Sequence, residues 1–457
     1  MDKIIKTAQK VYGKITLPGD KSISHRATIL SSLCKGDTTI INRSKSQEFE
    51  STLNCLGQYG VEYDKPDDNT LVVHGRGIEG FSKPDGVLDA GNSSATVRLL
   101  LGLAAAFPFE SYFDGSAKLK TRPMRRVIEP LDKMGARIES DNFRVPVRVE
   151  GGDLKAIRYI MPLSTSQVKG AVLTAALFAE GETELIERFP SRDHFEKLMD
   201  LMKIKYTKEK IRPAPAKVTD EFERRMKKKN RSIFNDPRGD LFRLSGGQTP
   251  TTPTTIEVPG DISAAAMFVA AAVLVNNSEL FIEDVCLNPT RMGFLDILSK
   301  MRANLNFEVT GYKGMEPVGT ITAKTGPLKG RRIVGEMIPT IIDELPIMAV
   351  IATQAYGTTV IRDAFELRHK ETDRIKTVVT NLRKMGARIG ELDDGMAIDG
   401  GTPLEGAEIT TYGDHRIAMA FAIAGLVAKG ETLIKDAECV ATSHPDFWEF
   451  IDSLVEY

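Results

Sequence analysis

The chain has 457 residues, 42% of them hydrophobic and 27% charged, with a formal net charge of −1. Such a length exceeds one core and implies two domains, and the composition is that of a soluble globular protein. The near-zero charge excludes a global field that would recruit nucleic acid or an anionic membrane. Cys34, Cys55, Cys286 and Cys439 show no Cys-x-x-Cys spacing, so neither zinc nor a disulfide framework is expected. Residues 1–6 lack an apolar signal core and no apolar run reaches a membrane span. A cytoplasmic location is therefore expected.

The first informative stretch is Leu17-Pro18-Gly19-Asp20-Lys21-Ser22-Ile23-Ser24-His25-Arg26. Asp20 suits an N-cap, and residues 27–33 are good helix formers. A helix N-terminus carries unpaired N–H groups and partial positive charge. With Lys21 and Arg26 added, the turn suits a phosphate or a carboxylate.

A pattern then recurs. Gly36-Asp37-Thr38, Gly181-Glu182-Thr183, Gly357-Thr358-Thr359 and Gly430-Glu431-Thr432 each lead into β-formers. Phe109-Glu110-Ser111 and Asn277-Ser278-Glu279 are weaker copies. Each follows an Ala/Leu/Val-rich run: 27–33, 97–106, 168–179, 264–275, 345–355 and 417–428. Lys133-Met134-Gly135-Ala136-Arg137-Ile138 returns letter for letter at 384–389. The repeat reads as helix, strand, second helix, then a Gly turn into another strand, six times over.

The Ala-rich helices have little polar surface and are expected to be buried. Their polar residues gather where they begin. Asn92, Ser93 and Arg98 open the second, and Ser164 to Gln167 the third. Asp261 and Ser263 open the fourth, Asp343 and Glu344 the fifth, and Asp414, His415 and Arg416 the sixth. Ordinary capping accounts for the Ser, Thr, Asp and Asn. It does not account for Arg98 and Arg416, because cations are disfavoured at helix starts. Repeated breaches of a local rule mark functional sites.

The interval from Gly181 to Asn277 is longer than the others. It holds a stretch of about 208–240 with Pro213, Pro215 and the basic run Arg224-Arg225-Met226-Lys227-Lys228-Lys229-Asn230-Arg231. Aromatic residues that stack on bases are sparse there, so a solvated insertion is expected rather than a nucleic-acid patch.

Ten motifs stand in order along the chain. They are Leu17 to Arg26; Gly91-Asn92-Ser93 through Arg98; Lys120-Thr121-Arg122-Pro123; Ser164-Thr165-Ser166-Gln167; Ser191-Arg192-Asp193-His194; Val258-Pro259-Gly260-Asp261; Asn288-Pro289-Thr290-Arg291; Ile342-Asp343-Glu344; Arg368-His369-Lys370-Glu371-Thr372-Asp373-Arg374; and Gly413-Asp414-His415-Arg416. In this the chain resembles the enolpyruvyl transferase family, in the branch that acts on shikimate 3-phosphate. The fold this implies is α/β, an inverted α/β barrel of two similar domains. Each domain has three βαβαββ units around buried helices. The chain would cross between them near Asp20 and Val258, giving one domain at 21–257 and the other at 1–20 plus 258–457.

The resemblance implies transfer of an enolpyruvyl group from phosphoenolpyruvate to the 5-hydroxyl of shikimate 3-phosphate, with release of phosphate. Lys21, Ser22, Arg26, Thr165, Ser166, Gln167, Arg192, Asp343 and Lys370 would hold shikimate 3-phosphate. Lys21, Asn92, Ser94, Arg122, Gln167, Arg374 and Arg416 would hold phosphoenolpyruvate. Asp343 would take the hydroxyl proton, and an N-cap role is open to it instead or as well. Glu371 or Lys21 would protonate the methylene carbon. His415 either caps its helix or supports the residues that touch substrate, or it acts directly. No cofactor and no metal is expected, the partners are the two small substrates alone, and a monomer is expected. Cations on both domains would oppose closure until anions arrive.

Two departures from the family pattern matter. Thr442 stands where some members have a Lys. Asn92-Ser93-Ser94-Ala95 stands where members commonly have Asn, a small residue, Gly and Thr. The extra atoms of Ser94 would crowd glyphosate, an inhibitor of this family, more than phosphoenolpyruvate. A cousin branch acts on UDP-N-acetylglucosamine and usually carries a Cys before the Arg-Pro pair; residues 114–123 contain none. A non-catalytic anion-binding scaffold would not need both Asp343 and Glu371.

Overall fold

A computed structural model of the chain describes residues 1–211 and 239–457. All six copies of the repeat open or immediately precede a strand: Lys35–Ile41, Glu110–Asp114, Glu182–Glu187, Glu279–Cys286, Thr358–Ile361 and Thr432–Ile434. The reason is visible in the backbone. Gly36, Gly181, Gly357 and Gly430 all have positive φ, and in the weaker fourth copy Asn277 takes φ 56°. Glycine reaches that region without strain, and Asn is among the few residues that tolerate it.

The six Ala-rich runs are the helices Lys21–Ser32, Ser94–Ala104, Ser166–Ala176, Ile262–Leu274, Leu345–Gln354 and His415–Val427. Every residue of Ile262–Leu274 except the last is buried. Small side chains let such helices approach closely. A Cβ at Gly102 would lie 2.2 Å from the Ala171 carbonyl oxygen, so the helices Ser94–Ala104 and Ser166–Ala176 meet backbone to backbone.

Each unit also builds a sheet. In the second, Leu88–Asp89 runs parallel to Glu110–Asp114, which pairs antiparallel with Val147–Glu150, itself antiparallel to Arg137–Ser140. The third and fifth units repeat that order within their own segments. The first borrows its parallel edge strand, Thr255–Glu257, from far along the chain. The fourth borrows Lys10–Thr16, and the sixth is completed by Lys3–Ile5. The N-terminal segment thus packs with the later half of the chain. Among the described residues, the buried apolar side chains accordingly form two clusters. One takes Ile23 through Val258 with Cys286, the other Ile5 through Leu17 with Ile262 onward.

Between the clusters the chain crosses twice, side by side. Asp20 N–H donates to the Pro259 carbonyl at 2.8 Å, and Asp261 N–H donates to the Pro18 carbonyl at 3.1 Å. Gly19 is required here, because a Cβ would fall 1.7 Å from the Asn42 carbonyl oxygen.

The charged stretch 208–240 is not wholly an insertion. Thr207–Ile211 pairs antiparallel with Gly239–Ser245 as the hairpin of the third unit. Its Thr-Lys-Glu-Lys-Ile sequence looks inserted because it is an exposed edge strand, where charged residues are favoured. Pro213, Pro215 and the basic run lie outside the described residues. Among the described residues, no helix is long and apolar enough to cross a membrane.

The second helix of five units ends on a left-handed residue: Gly60, Gly135, Lys203, Arg302 and Gly386. That explains the letter-for-letter repeat, whose Gly sits just past the helix C-cap in both copies. Lys203 and Arg302 hold the same conformation with a side chain. Arg302→Gly is therefore expected to stabilise the protein by about 1 kcal/mol, read as a higher denaturant midpoint with unchanged slope.

Candidate active site

The openings of the six core helices are linked by one chain of polar contacts. Arg26 Nη1 donates to the Ser22 carbonyl at 2.8 Å, and its Nη2 reaches both oxygens of Ser166 at 3.1 Å. Arg192 Nη1 donates to Ser22 Oγ at 3.0 Å and Nη2 to Asp343 at 2.6 Å. Arg98 Nη1 donates to Gln167 Oε1 at 2.7 Å. Lys370 Nζ lies 3.3 Å from Asp343, and Arg374 Nη1 lies 3.8 Å from it. Arg374 also grips Glu371 and Asp414, and Arg122 donates to Glu371 at 3.1 Å. Arg416 Nη1 reaches the Ser263 carbonyl at 3.3 Å. Lys21 pairs with Glu48. Asn92 Oδ1 accepts from Ser116 Oγ at 3.1 Å, and Ser94 is buried as the first residue of its helix. Thr165 occupies an N-cap position with no capping bond from its side chain.

Crowding of cations leaves a mark on them. Burial, then Arg192, brings Arg26 down to about 10. Burial, then Arg122 and Arg126, brings Arg98 down to about 9. The carboxylates respond in the opposite sense. Burial pushes Glu371 upward, but Arg374 and Arg122 overcome it and hold the group well below the ordinary Glu range. Asp343 likewise meets a burial cost that Lys370, Arg192, Arg416 and Arg374 outweigh. His415 is buried with Nδ1 unpartnered; burial, with Lys21 and Arg416, holds it well below the usual imidazole range. Near neutrality it is therefore uncharged and cannot donate a proton as a cation.

The capping reading of two residues is corrected. The N-cap position of Leu345–Gln354 is Glu344, not Asp343, and Asp343 points instead at three cations. The cap of His415–Val427 is Asp414, which accepts from Arg416 N–H at 2.9 Å, so His415 is not a cap.

Carboxylates of the later half also pair with cations of the earlier half. Arg122–Glu371 at 3.1 Å, Arg126–Glu366 at 2.5 Å and Arg192–Asp343 at 2.6 Å each join the earlier half of the chain to the later half. Opposite charges therefore face one another across the cleft.

Several residues escaped the sequence reading. Glu48 holds Lys21, and Arg126 with Glu366 adds a third cross-cleft pair. Glu48 carries no signature, since an acid in a first helical turn is ordinary. Asp193, His194 and Glu316 also meet, their potential ligand atoms all within 4.8 Å. No spacing announced that cluster. Asn288 Nδ2 donates to Asp193 at 2.6 Å and to Glu316 at 2.7 Å, so N–H donors already occupy its oxygens.

In sequence and in fold the chain is similar to known proteins of one family. A family model for EPSP synthase (3-phosphoshikimate 1-carboxyvinyltransferase) matches residues 5–222 and 210–451. The chain is 44% identical over 446 residues to the 3-phosphoshikimate 1-carboxyvinyltransferase of Bacillus cereus (strain B4264), covering 97% of each. It is equally similar to the enzyme of that name from Bacillus thuringiensis subsp. konkukian (strain 97-27). A solved EPSP synthase from Acinetobacter baumannii superposes with a TM-score of 0.82 at 34% identity, covering 99% of this chain and 98% of that one. The enolpyruvyl transferase NikO from Streptomyces tendae shares the fold, with a TM-score of 0.72 at 15% identity, covering 99% and 97%. The chain belongs to the EPSP synthase (3-phosphoshikimate 1-carboxyvinyltransferase) family.

Proposed function

We propose that this protein transfers the enolpyruvyl group of phosphoenolpyruvate to the 5-hydroxyl of shikimate 3-phosphate by addition and elimination. The product is 5-enolpyruvylshikimate 3-phosphate with inorganic phosphate, a step toward chorismate and the aromatic amino acids. The observation that supports it best is a pair of carboxylates, each gripped by cations from both halves of the chain: Asp343 by Arg192 and Lys370, Glu371 by Arg122 and Arg374. A reaction that removes one proton and adds another at adjacent centres needs two such groups. The domains are drawn at 21–257 and at 1–20 plus 258–457, acting as a cytoplasmic monomer without nucleic-acid partners.

Lys21, Ser22, Arg26, Thr165, Ser166, Gln167, Arg192 and Lys370 hold shikimate 3-phosphate, with Asp343 against its 5-hydroxyl. Lys21, Asn92, Ser94, Arg122, Gln167, Arg374 and Arg416 hold phosphoenolpyruvate. Planar guanidinium groups grip phosphate and carboxylate with two parallel hydrogen bonds. Asp343 takes the hydroxyl proton as that oxygen attacks the enolpyruvyl carbon. Glu371 or Lys21 delivers a proton to the methylene carbon. Loss of phosphate, with removal of a methyl proton, then restores the double bond. Substrate anions against Arg122 and Arg374 compete with Glu371 for those cations and raise its proton affinity, which makes it a donor. The test is phosphate release with both substrates. Release that does not depend on shikimate 3-phosphate would overturn the reading.

Ser94 sets a prediction of its own. It stands buried at the first turn of its helix, beside the Asn92 turn. Wild type is expected to resist glyphosate, and Ser94→Gly to become sensitive. Equal, tight inhibition of both would show that the serine leaves the pocket unchanged.

A further inference from the structure

Two of the helices that begin without a side-chain cap begin beside the cross-cleft pair Arg192–Asp343. Asp193 sits at the N-cap of His194–Leu201, and Glu344 at the N-cap of Leu345–Gln354. Asp is among the best capping residues, yet neither side chain caps its helix. Asp193 instead accepts from Asn288 Nδ2 at 2.6 Å, across the boundary between the two cores. Glu344 accepts from Ser263 Oγ. Each diverted acid directly follows one member of the pair.

Their partners belong to one buried cluster at the crossing. Arg291 Nη2 donates to Ser263 Oγ at 2.7 Å, and its Nη1 donates to Asp20 at 2.9 Å. Arg291 Nη1 also lies 3.4 Å from His194 Nε2. His194 Nδ1 donates to Glu316 at 2.7 Å, and Glu316 accepts from Asn288 as well. His194, Glu316, Asn288, Asp20, Arg291, Ser263 and Glu344 are all buried. A cluster so fully paired has one low-energy arrangement, because breaking any member strands a buried polar group.

We propose that Asn288 and Ser263 are positioning residues, which act through Asp193 and Glu344 to set the approach of Arg192 to Asp343. Arg291 ties the two arms together at the crossing. The cluster fixes the backbone beside each partner of the pair through Asp193 and Glu344. The inference rests on the proposed enolpyruvyl transfer, in which that pair faces shikimate 3-phosphate.

The test is a double-mutant cycle on phosphate release. Asn288→Ala and Ser263→Ala are made in wild type and in Arg192→Lys, with melting temperatures recorded for all. In wild type each is expected to lower kcat/KM for shikimate 3-phosphate about 10–100-fold, with a smaller change in KM for phosphoenolpyruvate. In the Arg192→Lys background Asn288→Ala should cost less than about 3-fold more, since the group it positions is already impaired. Equal fold-losses in both backgrounds would overturn the proposal and leave Asn288 a purely structural residue. A second measurement separates this from failure of the proposed reaction. Spin labels at the exposed positions Lys120 and Tyr412 report the cleft without any substrate. Should wild type release no phosphate, a longer or broader label distance in Asn288→Ala still supports the cluster's role, and an unchanged distance overturns it.

Discussion

Glu371→Gln is expected to lower turnover about 10²–10⁴-fold while the protein stays folded. The substitution is near-isosteric and keeps an acceptor oxygen for Arg122 or Arg374, whose guanidinium groups lie against the carboxylate. What it removes is the capacity to carry a proton. The same loss is expected for Asp343→Asn, which keeps an acceptor oxygen for Arg192 or Lys370. Both carboxylates are ionised in the free site, held there by surrounding cations against the cost of burial. The amides lack that negative charge, so cations in the variants are less well matched and substrate anions should bind at least as tightly. The signature is thus a fall in kcat without a rise in KM, measured by phosphate release. Near-normal turnover in either variant would remove that residue from the chemistry.

Lys169→Met is expected to destabilise the protein by roughly 3–5 kcal/mol. Lys169 is completely buried, with Nζ 2.9 Å from Glu187 and 2.7 Å from Glu196, and lies over the Phe242 ring. Burial opposes its charge, but the two glutamates outweigh that and raise its proton affinity. Removing it leaves two buried carboxylates without their cation. For a chain of 457 residues the melting temperature should fall by roughly 3–5 °C. Glu187 Oε1 also accepts from Ser191 N–H at 3.1 Å, so the loop carrying Arg192 should loosen in the same variant. Adding Glu187→Gln and Glu196→Gln to Lys169→Met should recover much of the loss. No recovery would show that packing of the lysine stem, not its charge, is what the core requires.

The repeats, the core helices and the polar residues that open them were legible in the sequence because their signals are local. A Gly at positive φ, an N-cap such as Asp20 or Asp414 and an unbroken Ala-rich run each act within a few residues. Six copies made the signal strong, and Arg98 and Arg416 stood out because they break the rule for helix starts. What tertiary structure alone decided is which charge meets which. Lys21 with Glu48, Arg122 with Glu371, Arg192 with Asp343 and Asp193 with Asn288 join residues far apart in sequence, and three of these four pairs join different halves of the chain. Nothing in a window of sequence distinguishes Glu48 or Asp193 from an ordinary first-turn acid or cap. The same limit hid the edge strand Thr207–Ile211, whose charges suit solvent and whose partner Gly239–Ser245 is remote. Ion pairs and sheet edges are chosen by distance in space. Two crossings that lie side by side, Asp20 against Pro259 and Asp261 against Pro18, bring those distances about.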